Sequence, residues 1–184
     1  MPQEDIPSTR QGVALLVIDV QNGLFGKSTP IYHADRLLDN ICALIERAHC
    51  SVVPVFFIQH STKNNLVEGS DDWFLHPRLI PQAADPVIQK HHGSAFEDTS
   101  LAGELEARDI GTIVVMGLVT HGCVKATCLD AHRMGYRVIL ARDGHSNFHK
   151  HAEQVIAEWN EKLGSGIVEL KTAGEIDFRG GLWN

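Results

Sequence analysis

Short apolar segments alternate with amphipathic segments along most of this chain, and that alternation restricts the fold more than any other feature. The apolar segments predict six strands, which are Val13–Asp19, Val52–Ile58, Pro86–Lys90, Thr112–Met116, Arg137–Ala141 and Ile167–Leu170. The amphipathic segments predict four helices: Ala34–His49, Asp98 or Thr99 to Arg108, Cys123–Met134 and Lys150–Leu163. Strands that are apolar at consecutive positions are typical of sheets covered on both faces. The order of elements therefore predicts an α/β fold with a mostly parallel sheet between two layers of helices.

The length of 184 residues suits one domain with a substantial core. We find no internal repeat and no linker long enough to separate two domains, so residues 1–184 are predicted to form one domain. Residues 1–10 are expected to be a loose N-terminal segment. Residues 60–85 lack clear periodicity, and an irregular segment of that length favours a cover over a site. This segment could be a mobile lid over the site or a fixed wall of it.

The net charge of −7 argues against nucleic acid or an anionic membrane as the main partner. The longest apolar run, Val13–Ile18, is too short to cross a bilayer. The segment Met1–Arg10 lacks the apolar centre of a signal peptide. We therefore expect a cytoplasmic protein that acts on a small molecule.

Three chemically reactive positions follow three different predicted strands. Asp19 ends the first strand, Lys90 ends the third, and the turn Gly117–Cys123 follows the fourth. Parallel strands place their carboxyl ends at one edge of the sheet, and ligands bind beyond that edge. We therefore expect these positions to meet there.

Cys123 is the candidate nucleophile. It opens a predicted helix, where unpaired backbone N–H groups and the positive end of the helix dipole favour a thiolate, the nucleophilic form of cysteine. The same N–H groups could stabilise an oxyanion. The alternative is a small buried apolar side chain at a helix start. Cys42 and Cys50, on the first predicted helix and at its end, are expected to be core thiols.

Asp19 and Lys90 are candidate partners of that thiol. A carboxylate at the end of an apolar strand needs a compensating charge or hydrogen bonds, because burying it alone is costly. Asp19 could take the thiol proton and later deliver it to a leaving amine, or it could only bond loop amides or cap a helix. Lys90 could supply the compensating charge, or it could be an ordinary solvated lysine.

Three segments, in this order along the chain, resemble the isochorismatase-like cysteine hydrolase superfamily, which includes nicotinamidases and carbamoylsarcosine amidohydrolases. They are Leu16–Asn22, Lys90 with Gly93–Phe96, and Val114–Val124. The resemblance implies a three-layer α/β/α sandwich with six parallel strands and a catalytic triad of Asp19, Lys90 and Cys123. It also implies a cis peptide bond between Leu118 and Val119, and an oxyanion hole formed by the N–H groups of Val119 and Cys123.

The same resemblance implies an amidohydrolase that cleaves a C–N bond of a small amide or ureido compound through a thioester, assembled as a homo-oligomer (a dimer or a tetramer). Two alternatives stay open. One is isochorismatase-type hydrolysis of a vinyl ether, although that branch typically lacks the cysteine. The other is a non-catalytic binding member of the family.

Nicotinamidases bind a metal through an Asp-x-His after the second strand, and this chain departs from that pattern. The corresponding segment, Phe57–Thr62, contains no aspartate. His60 and His76 without a carboxylate make a poor metal site, so we predict no metal and no cofactor. The candidate pocket residues are Phe25, His60, Trp73 and His121.

Overall fold

Six strands form one sheet in the computed structural model, which describes residues 10–179. In chain order they are β1 (Gly12–Ile18), β2 (Val55–His60), β3 (Val87–Lys90), β4 (Ile110–Leu118), β5 (Arg137–Ser146) and β6 (Glu169–Lys171). All neighbouring strands are parallel, in the spatial order β3-β2-β1-β4-β5-β6. The predicted parallel sheet is confirmed. The order reverses between β1 and β4, which is where such sheets bind ligands.

Helices cover both faces of this sheet. They are α1 (Asn22–Phe25), α2 (Ala34–Cys50), α3 (Leu101–Glu106), α4 (Lys125–Arg133) and α5 (Ala152–Gly164). Helix α2 buries its predicted apolar stripe on the face of the sheet that carries Leu15 and Val17. The opposite face, with Leu16 and Ile18, packs against α3, α4 and α5. Successive residues of β1 therefore enter two different cores, which is why the strand is apolar at consecutive positions.

Turns shift two element boundaries from their predicted positions. Strand β2 begins at Val55 because Val52 has a left-handed φ of 56° in the turn after α2 and is 91% exposed. The helix expected from Cys123 begins at Lys125, after an irregular helical turn over Thr120–Val124. The expectation that Cys50 lies in the core is also wrong, because this residue is exposed at the end of α2.

The long segment between β2 and β3 is fastened to the ends of β1 and β2. The side-chain amide of Gln21 donates to the main-chain oxygens of His60 and Trp73, at 3.0 and 2.7 Å, and accepts from the His60 N–H at 2.9 Å. The Trp73 indole N–H donates to Ser61 Oγ at 2.8 Å. These bonds place the segment beside the carboxyl edge of the sheet.

The loose segment expected for residues 1–10 lies outside the described residues, apart from Arg10. After β6, Ile176 and Phe178 are buried in the core on the α2 side of the sheet. No helix within residues 10–179 is both long and apolar enough to span a membrane.

Candidate active site

Asp19, Lys90 and Cys123 meet beyond the carboxyl edge of the sheet. Asp19 is the first residue after β1, Lys90 is the last residue of β3, and Cys123 lies in the turn between β4 and α4. The Lys90 Nζ atom lies 2.9 Å from Asp19 Oδ2 and 3.2 Å from Cys123 Sγ. Three positions far apart in the chain are therefore joined through one ammonium group.

The contact between Lys90, Asp19 and Cys123 is shielded from water, and this burial shifts the pKa values of the carboxyl and thiol groups. The side chain of Lys90 is 0% exposed and that of Asp19 is 3% exposed. Burial raises the pKa of Asp19, and attraction to the Lys90 ammonium opposes that rise. Burial and then the Asp19 charge raise the pKa of Cys123 to about 12, with Lys90 again opposing. Burial therefore opposes a negative charge on the carboxyl and on the thiol, and the Lys90 ammonium counteracts that effect at both.

Burial of Cys123 opposes the thiolate that a helix start was expected to favour. Cys123 precedes α4 by two residues, in a turn where Gly122 has φ and ψ of −112°. The helix dipole acts mainly within the first turn of a helix, whereas burial raises the pKa of Cys123. Burial thus favours the protonated thiol form of Cys123.

A close approach of two strands fixes the start of the turn that carries this thiol. Gly117 has a φ of 121°, and a Cβ atom there would lie 2.1 Å from the main-chain oxygen of Ile18. Only glycine fits such a position without displacing the neighbouring strand. The peptide bond between Leu118 and Val119 is cis.

A buried histidine holds the same turn from the side of β5 and α5. The Asn160 amide donates to the Arg142 main-chain oxygen at 3.1 Å, which leaves its Oδ1 atom to face His145 Nε2 at 3.0 Å. His145 Nε2 therefore carries the ring proton, and Nδ1 accepts from the Thr120 hydroxyl at 2.9 Å. Burial lowers the pKa of His145, which keeps this ring neutral.

His60 is a fourth member of the cluster, at the end of β2. Its Nδ1 atom lies 2.6 Å from Lys90 Nζ, 3.8 Å from Cys123 Sγ and 3.8 Å from Asp19 Oδ2. An ammonium only donates hydrogen bonds, so Nδ1 accepts and the ring proton lies on Nε2. Burial and then the Lys90 charge lower the pKa of His60 to about 4, and the ring is neutral at physiological pH.

The same cluster contains a set of possible metal ligands. One atom each of Asp19, His60 and Cys123 lies within 4.8 Å of the others. The Lys90 ammonium contacts all three residues. It therefore already supplies the positive charge that a metal ion bound between them would supply. His76, the other histidine considered as a ligand, packs against the ring of Phe25 instead, with centroids 4.6 Å apart.

A cavity of about 250 Å³ opens onto these groups. Of the four predicted pocket residues, His60 lines it, and Phe25, Trp73 and His121 are not part of its lining. Trp73 instead bonds Ser61, and the ring of His121 faces that of His149 at 6.4 Å. The cavity is lined by Asp19, Leu24, Lys27, His60, Thr62, Asn65, Leu66, Val119, Cys123 and Phe148.

Sequence reasoning missed most of these lining residues. Leu24 and Lys27 come from α1 and the turn after it, Asn65 and Leu66 from the long segment, and Phe148 from the segment after β5. None of them has a local pattern that distinguishes it from a core or surface residue. The role of Gln21 in anchoring the long segment was also missed. Its sequence context did indicate a special position, since it is a polar residue directly after an apolar strand.

Comparison with known proteins identifies the domain. A family model described as the isochorismatase domain matches residues 13–163. Streptothricin hydrolase of Streptomyces noursei is 31% identical over 137 residues, which are 73% of this chain and 50% of that protein. The chain thus spans half the length of that relative.

Two amidases are also similar to this chain. Nicotinamidase 3 of Arabidopsis thaliana is 28% identical over 153 residues, covering 74% of either chain. The crystal structure of N-carbamoylsarcosine amidase from Thermoplasma acidophilum matches with a TM-score of 0.81 at 25% identity. That match covers 90% of this chain and 98% of the amidase.

Proposed function

The chain belongs to the isochorismatase family of hydrolases, and we propose that it is a cysteine-dependent amidohydrolase acting on a small amide or ureido compound. The observation that carries the proposal is the buried contact of one ammonium with a carboxylate and a thiol. The Lys90 Nζ atom lies 2.9 Å from Asp19 Oδ2 and 3.2 Å from Cys123 Sγ. A thiol beside a base is the arrangement that nucleophilic catalysis requires.

Asp19 is proposed as the general base. Its Oδ2 atom faces Lys90, and its Oδ1 atom is buried without a hydrogen-bond partner among residues 10–179. The Oδ1 atom is therefore available to accept the thiol proton. Moving a proton from sulfur to oxygen within the pair keeps the net charge of the cluster constant, so the step adds no uncompensated charge to a buried site.

The sulfur then attacks the amide carbonyl carbon. A C–S bond forms, the C–O π bond opens, and the backbone N–H groups of Val119 and Cys123 are proposed to bind the oxyanion. Asp19 returns its proton to the nitrogen, the C–N bond breaks, and ammonia or an amine leaves a thioester. Water then gives a proton to Asp19 and attacks the thioester, which releases the acid and restores the thiol.

Lys90 and His60 are proposed to position these groups. The ammonium keeps the carboxylate and the sulfur at fixed distances and stabilises whichever of them is charged. His60 Nδ1 accepts from Lys90 Nζ at 2.6 Å. His60 thereby orients the ammonium without adding a second positive charge.

Ammonia release from a panel of small amides and ureides tests this function. We expect turnover by the unchanged protein and none by Cys123→Ala, with Cys50→Ala as the matched control because Cys50 is exposed and does not line the cavity beside Cys123. Mass spectrometry of the acid-quenched enzyme is expected to find the acyl group on Cys123. Turnover that survives Cys123→Ala would exclude the thioester mechanism.

A further inference from the structure

The cavity beside Cys123 contains a charged side chain that the proposed mechanism does not use. Lys27 lines the cavity and is partly buried in the turn after α1. Within residues 10–179, its ammonium forms no hydrogen bond and no ion pair. The chain as a whole has 23 acidic and 16 basic side chains. Carboxylates are therefore plentiful, yet none of them pairs with Lys27 within residues 10–179.

The other charges of the cavity do not satisfy Lys27. Asp19 is the acidic residue in the lining, and its carboxylate is already paired with Lys90 at 2.9 Å. His60 is held neutral, because burial and Lys90 lower its pKa to about 4. The lining of the cavity therefore has a local excess of positive charge at Lys27.

The rest of the lining restricts what an anionic ligand can be. Its apolar wall consists of Leu24, Leu66, Val119 and Phe148. The volume of about 250 Å³ is below the roughly 300–1,000 Å³ of pockets for drug-sized ligands. A short hydrocarbon spacer between the reacting group and an anionic group matches this lining.

We propose that Lys27 binds a carboxylate of the substrate, so that the substrates are short monoamides of dicarboxylic acids. This inference rests on the proposed amidohydrolase function. The primary amide lies against Cys123, the spacer contacts the apolar wall, and the carboxylate pairs with Lys27. The reaction consumes the amide and one water and yields a dicarboxylate and ammonium, with no change of oxidation state.

Paired substrates test the proposal. Malonamate, succinamate and glutaramate are each compared with the neutral amide in which a branched alkyl group replaces the carboxylate. We expect kcat/KM to favour the best carboxylated amide by roughly 10- to 100-fold, the size expected for a charge-assisted hydrogen bond. The variant Lys27→Gln is expected to remove that preference, mainly through a higher KM for the carboxylated amide, and to affect the neutral amide much less.

Two further variants make the comparison specific. Lys27→Glu is expected to reverse the preference, so that 4-aminobutanamide, which carries an ammonium, becomes the better substrate. Lys63→Gln is the matched control, because Lys63 is exposed in the neighbouring segment and does not line this cavity. Equal losses on carboxylated and neutral amides, or no loss in Lys27→Gln, would overturn the inference.

Calorimetric binding of succinate, a dicarboxylate product, supplies a second measurement that needs no turnover. We expect Lys27→Gln to weaken this binding at least tenfold and Lys63→Gln to leave it unchanged. If no amide is hydrolysed but succinate binding depends on Lys27, the proposed function fails and the anion site stands. If neutral amides are hydrolysed through Cys123 and succinate binding is independent of Lys27, the anion site alone fails.

Discussion

The buried pair of Asp19 and Lys90 allows a quantitative prediction about stability. Their side chains are 3% and 0% exposed, and the charged atoms lie 2.9 Å apart. Replacing Lys90 by Met keeps a long apolar side chain but leaves the Asp19 carboxylate without its counter-charge. Removing one partner of a buried pair costs about 3–5 kcal/mol, which is a large part of the about 5–15 kcal/mol typical of a folded domain. For a chain of this size the loss corresponds to a decrease in Tm of roughly 6–20 °C.

The pH dependence of this loss follows from the raised pKa of Asp19. A carboxyl group whose pKa is raised by folding adds stability below its unfolded pKa, and that contribution disappears as the pH rises through the folded pKa. Without Lys90 the pKa of Asp19 rises further, because the ammonium is what lowers it. We therefore expect the free-energy loss of Lys90→Met to be larger at about pH 8 than at about pH 5.

Urea unfolding of a double-mutant cycle measures the pair directly. We expect Asp19→Asn and Lys90→Met each to destabilise strongly and the double variant to lose much less than their sum, because it leaves neither charge unpaired. The expected coupling is about 2–3 kcal/mol. Lys63→Met, at an exposed lysine, is the control and is expected to change stability by less than about 0.5 kcal/mol. Additive losses in the cycle, or a loss that does not vary with pH, would refute the reasoning.

Three further outcomes are expected. Gly117→Ala should destabilise the protein in urea unfolding by well over the roughly 1–3 kcal/mol that an unfavourable φ alone costs, because its Cβ atom would clash with the main chain of Ile18. Gly166→Ala has the same φ of 121° but open space around it, so it should show only the cost of φ. Equal losses in the two variants would contradict the predicted clash. His60→Ala, which removes one of the acceptors of Lys90 Nζ, should lower kcat by roughly 10- to 100-fold with little change in KM in a steady-state assay. The kcat/KM profile should fall at acid pH with a pKa above the ordinary carboxyl value, since the burial of Asp19 raises its pKa; a profile flat down to pH 4 would exclude Asp19 as the base.

The strands and helices were predictable because their signals are local. Leu15 and Leu16 point to opposite faces of β1, so a sheet covered on both sides requires both to be apolar. The convergence of Asp19, Lys90 and Cys123 was predictable for the related reason that parallel strands end at one edge. The boundaries were less predictable, because Val52 has the composition of a strand residue and adopts a turn conformation instead.

Patterns local to the chain were enough to predict the α/β order of elements and the candidate catalytic side chains at the carboxyl edge of the sheet. Three features required the folded structure: the contact of the Lys90 ammonium with His60, the raised pKa of the buried Cys123 thiol, and the place of Lys27 in the cavity lining. The physical reason is that periodicity depends on neighbours along the chain. A pKa or a pocket lining instead depends on burial and distance among atoms that only packing brings together.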